Sequence, residues 1–92
     1  MDSERFVGID VSKDQLDGAV VPDGTTFAFP NDESGIEQLI EHLGPLSPEL
    51  ILLEATGGLE LPAAAALAAT NFTVTIINPR QASVTVVQSN AI

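Results

Sequence analysis

The stretch FVGIDVSKDQLDGAVV, residues 6–21, decides the fold. Two apolar, β-rich segments flank Lys13–Asp14, a pair with the composition of a tight hairpin. One feature disturbs that reading, because Asp10 stands in the middle of the first apolar run. A carboxylate in a buried strand costs on the order of several kcal/mol unless something pairs with it. The rest of the chain has to supply that partner.

Working outward, the Pro22-Asp23-Gly24 turn signal leads into GTTFAFP, so three consecutive antiparallel strands open the domain. Asn31 is placed to cap a helix whose first turn carries Asp32 and Glu33. The apolar residues Ile36, Leu39, Ile40 and Leu43 fall at helical spacing, and Gly44-Pro45 ends the helix. ELILLE, residues 49–54, is a short continuous apolar run, the pattern of a central parallel strand covered on both faces. It too ends in a carboxylate, Glu54. Pro62 suits the first turn of a second helix, the small residues of AAAALAAT continue it, and FTVTIINP is a further strand stopped by Pro79.

The predicted order is therefore βββαβαβ, an α/β arrangement in which right-handed crossovers lay the later strands parallel to the first. If the strand ending at Glu54 returns beside the first strand, its carboxylate converges with that of Asp10. Two neighbouring carboxylates repel unless a cation lies between them. This points to a site for Mg2+ or Mn2+ with oxygen ligands, of the kind that promotes phosphoryl transfer with ions about 3.5–4 Å apart.

Composition sets limits on all of this. Ninety-two residues make one domain at most, with 45% hydrophobic residues and no Trp or Tyr. A chain of this length hides only roughly 60–65% of its unfolded surface. No apolar run approaches the roughly 18 residues that span a bilayer, and the start MDSER is acidic rather than basic, so a cytoplasmic protein without a membrane partner is expected. The absence of cysteine excludes disulfides and thiolate metal sites, leaving carboxylates and the lone His42. The net charge of −10, with Arg5, Lys13 and Arg80 the only cations, opposes binding of DNA by this chain alone.

In order and spacing, GIDVSKD, LEATGG and INPRQ resemble the N-terminal catalytic domain of the DEDD insertion-sequence transposases, which has a ribonuclease H-like, Holliday-junction-resolvase-like core. The resemblance runs from Phe6 to Gln81. It implies that Asp10 and Glu54 are the first two members of an acidic tetrad that binds divalent metal. It also implies a full-length enzyme that cuts and rejoins DNA, guided in some members by a structured RNA. After Gln81 the family continues with a basic helix and an Asp-x-x-Asp pair, whereas this sequence reads ASVTVVQSNAI. The expectation is thus a ribonuclease H-like domain over residues 1–81 and a divergent tail over 82–92, inactive as an isolated chain. The alternation in SVTVVQ predicts a strand, suited to pairing with the last strand of the sheet or with a neighbouring molecule.

Simpler roles stand beside these. Asp10 reads also as a structural aspartate bonded to hairpin amides, and Glu54 as a solvated strand-end glutamate. Lys13 is a hairpin lysine or a phosphate contact. Thr56, Gly57 and Gly58 are a collar round the metal or a strand-to-helix turn. Asn78 and Arg80 face the site or form a polar strand end, and His42 reads as solvated. Two rivals remain at this point: an actin-like ATPase or sugar-kinase fragment, whose Asp-x-Gly-x-Thr pattern is absent from DVSKD, and a non-catalytic module pairing through a strand edge.

Overall fold

The computed structural model of the chain describes residues 4–78 and 83–87. Its strands and helices are β1 (Phe6–Val11), β2 (Gln15–Val21), β3 (Thr25–Pro30), α1 (Glu33–Leu43), β4 (Leu50–Glu54), α2 (Leu61–Ala69), β5 (Val74–Asn78) and β6 (Ser83–Val87), with a short 3-10 turn at Gly44–Leu46. The strands make one mixed sheet in the order β3-β2-β1-β4-β5-β6. β1, β4 and β5 run parallel, while β2 and β3 on one side and β6 on the other are antiparallel to their neighbours. This is the ribonuclease H-like α/β arrangement expected, extended by one strand.

Strict alternation explains β1 and β2: Val7, Ile9, Val11, Leu16 and Val20 are buried, and the residues between them on β1 are exposed. Ile51 and Leu53 of β4 and Val74 and Ile76 of β5 continue the buried layer. Against it pack Ile36, Leu39 and Leu43 of α1 and Ala63, Ala64, Leu67 and Ala68 of α2. The small alanines let α2 approach the sheet closely. Both crossovers step across the sheet in the same direction, so right-handedness puts both helices on one face.

The opposite face carries no helix among the described residues, and here β4 departs from expectation. Its pattern predicted cover on both sides, yet Leu50 and Leu52 are only half-buried. The start of α1 differs as well. Asp32, not Asn31, is the N-cap, its Oδ1 accepting the Gly35 N–H at 2.7 Å. Asn31 is engaged elsewhere, donating from Nδ2 to the carbonyls of Ser12 at 2.9 Å and Leu59 at 3.4 Å. Asp and Asn cap helices about equally well, so only these tertiary acceptors separate them.

At the C-terminal side β6 pairs with β5 from Asn78↔Ser83 to Val74↔Val87, so the tail strand completes the sheet within the chain. The boundary placed after Gln81, and Arg80 with it, lies outside the described residues. Among the described residues no helix is long and apolar enough to cross a membrane.

Candidate metal centre

Asp10 and Glu54 occupy adjacent parallel strands. The paired ladder between β1 and β4 ends at Ile9↔Leu53, and the two carboxylates come at the next position of each strand. Neighbouring strands lie about 4.8 Å apart, so the two residues start side by side. Each follows a buried residue and is itself exposed, which sends both side chains to the face without helices. There they line a shallow concavity of about 880 Å³ together with Gly8, Asp17, Leu52 and Ile77. Among the described residues no Lys or Arg lines it.

Local bonding holds both strand ends. Beyond Asp10, the Ser12 N–H donates to the Gln15 carbonyl at 2.9 Å and closes the hairpin. Beyond Glu54, the Ala55 N–H donates to the Ile77 carbonyl at 2.8 Å, and the Thr56 hydroxyl donates back to the Glu54 carbonyl at 3.1 Å. Thr56, Gly57 and Gly58 thus form a tied strand-to-helix turn.

Two carboxylates were not singled out from sequence. Asp17 is the register partner of Asp10 and shares its concavity, with Oδ1 accepting from Gln15 Nε2 at 2.7 Å. Its signal was present: a two-residue turn at Lys13–Asp14 sets Asp10 opposite Asp17. Glu60 is buried, and its Oε1 accepts the backbone N–H groups of Thr56 at 2.8 Å and Gly58 at 3.1 Å. Nothing in the local pattern announces that reach.

The remaining candidates lie apart. Lys13 is exposed at the hairpin tip and lines a separate groove with Asp32, Glu33 and Glu37. His42 is exposed and packs its ring 5.2 Å from that of Phe27 and 5.6 Å from that of Phe29, on the helix-covered side of β3. Asn78 closes the β5–β6 ladder opposite Ser83.

By donor type the Asp10–Glu54 pair suits a hard divalent ion, since both offer carboxylate oxygen. Among the described residues no group of three or more His, Cys, Asp or Glu gathers to hold a metal. The pair alone offers two carboxylate groups, fewer oxygens than the roughly six or more that a hard divalent ion takes.

A solved structure, YeaZ from Pseudomonas aeruginosa, is similar at 14% identity and a TM-score of 0.47, covering 83% of this chain and 44% of that one. The chain thus spans less than half of that protein. No curated protein sequence matches. The sequence model of the DEDD transposases of the IS110 group, described as Transposase, matches residues 7–88, a span that takes in both carboxylate-bearing strands and β6. The chain belongs to the DEDD transposase family.

Proposed function

We propose that this chain supplies the first half of a transposase metal centre, with Asp10 and Glu54 as ligands to Mg2+ or Mn2+ in DNA cleavage and strand transfer by a longer cytoplasmic protein. The observation that supports this most is the placement of both carboxylates on one face at the ends of adjacent parallel strands, in a chain of this family. A divalent ion held there supplies the positive charge that phosphoryl transfer needs at its attacking and leaving oxygens. The protein's part is to hold the two carboxylates side by side and to present them on an open surface that a DNA backbone can approach. By itself the chain carries a net charge of −10, so its affinity for duplex DNA is negligible and it cleaves none. DNA, and a structured guide RNA as in some members, are partners of the longer protein.

The test is an amide NMR titration of the wild-type chain, Asp10→Asn and Glu54→Gln with Mg2+ and then Mn2+. Weak binding is expected, with Mn2+ broadening centred on residues 8–11 and 52–55 and lost in Asp10→Asn. Broadening that survives Asp10→Asn unchanged would place the site elsewhere. Self-association through the outer edge of β6, whose Val84 and Val86 are exposed, belongs to the same reading. Light scattering checks it: Val86→Lys lowers the mass if β6 is the contact, and a monomeric wild-type chain ends the idea.

A further inference from the structure

Glu60 is a buried carboxylate, 6% exposed, to which the metal reading gives no role. It stands at the N-cap of α2 yet makes no side-chain bond to that helix. Its carboxylate instead turns back into the loop after Glu54, where one oxygen accepts from Thr56 N–H and Gly58 N–H. The two amides converge because Gly57 and Gly58 adopt φ of +60° and +96°, a left-handed backbone that side chains resist. From the other side, the Leu59 N–H donates to the Thr56 carbonyl at 3.0 Å and the Leu61 N–H to the Gly58 carbonyl at 3.1 Å. The Asn31 amide then links the Leu59 carbonyl to that of Ser12, in the hairpin turn that follows Asp10.

Burying a carboxylate is costly unless it is fully bonded, and bonds to a charged acceptor are about twice as strong as neutral ones. Such a group rigidifies whatever donates to it. Here the donors belong to the segment that begins one residue after Glu54, and that segment is bonded to the Glu54 carbonyl through Thr56. We infer that Glu60 is a positioning residue: it clamps the loop at residues 55–59 and thereby fixes the direction in which Glu54 projects beside Asp10. What is positioned rests on the metal reading above; the clamp itself does not.

The experiment uses the whole chain, with Glu60→Ala, Glu60→Gln and Glu60→Asp, and Glu54→Gln as the ligand control. Amide hydrogen exchange is read without metal, and the Mn2+ dissociation constant is read from paramagnetic broadening at residues 8–10 and 52–54. In Glu60→Ala, exchange at Thr56 and Gly58 rises about tenfold while Ile9 and Leu53 stay protected. The Mn2+ affinity falls about three- to tenfold. Glu60→Gln keeps an oxygen acceptor and restores most of that affinity, whereas Glu60→Asp keeps the charge but loses the reach and does not. The Asp variant carries the test if Glu60→Ala fails to fold. Unchanged exchange at Thr56 and Gly58 overturns the clamp. Faster exchange with unchanged Mn2+ affinity overturns the positioning role, and Gln that restores exchange protection at Thr56 and Gly58 yet behaves as Ala in the metal readout makes Glu60 a ligand instead. Absence of Mn2+ binding in the wild-type chain overturns the metal reading and the positioning role with it, and exchange alone then decides the clamp.

Discussion

The two faces of the sheet follow opposite rules. On the helix-covered face Val7, Ile9, Val11, Leu16, Val20, Ile51, Leu53, Val74 and Ile76 form an aliphatic layer, with Gly18, Phe27 and Phe29 beside it, and Leu16, Leu39, Ile51 and Leu67 are fully buried. On the other face the same strands carry Phe6, Gly8 and Asp10, then Asp17, Ala19 and Val21, then Leu52 and Glu54. This face mixes apolar and acidic residues, and Phe6, Val21, Val84 and Val86 remain exposed. The first face carries the stability of the fold. The second carries acids of like charge, Asp10 and Asp17, directly opposite one another, where packing alone would not select them.

Neighbouring residues on β4 give the sharpest way to break this comparison. Leu53→Ala, on the covered face at 1% exposure, is expected to cost about 2–5 kcal/mol in urea unfolding, through lost burial and the cavity left behind. Leu52→Ala, half-buried on the open face, is expected to cost about 1 kcal/mol. Equal losses would mean that the open face is packed as a core.

Two strand glycines make the next test. A Cβ on Gly18 would collide with the ring of Phe27, which is itself stacked on Phe29 and His42. Gly18→Ala therefore costs about 1–3 kcal/mol as that aromatic cluster moves. A Cβ on Gly8 meets nothing within 4 Å, so Gly8→Ala is expected to stabilise the chain by about 0.5 kcal/mol through the lost glycine entropy. Thermal unfolding of the pair reads both signs, and destabilisation by Gly8→Ala would show that the open face is more crowded than its geometry states.

The smallest effect is electrostatic. Asp10 and Asp17 are direct cross-strand partners, and like charges so placed repel. Asp10→Asn and Asp17→Asn are each expected to raise stability by about 0.2–1 kcal/mol at low salt, with the gain shrinking as ionic strength rises. A gain that does not respond to salt would trace to packing instead.

Much of the fold was legible in particular residues. Lys13–Asp14 and Pro22-Asp23-Gly24 announced the meander, Ile36, Leu39 and Leu43 announced the buried stripe of α1, and Pro62 marked the first turn of α2. The placement of Asp10 and Glu54 on neighbouring strands followed from strand order and the handedness of crossovers. The uncovered flank of β4 was not legible, because a run such as LILL is the same whether one face or both are packed.

What the sequence determined by itself was local: periodicity selects strand or helix, turn residues set the hairpin register, and register aligns Asp10 with Asp17. Only the tertiary structure decided which acids serve the turns and which stay on the open face. Asn31 gave up its helix because the carbonyls of Ser12 and Leu59, distant in the chain, came within reach. Glu60 was buried because the Thr56 and Gly58 amides converged on it. The physical reason is common to both: a polar side chain goes to the partners that desolvation leaves it, and the folded chain brings those partners from segments that local pattern does not connect.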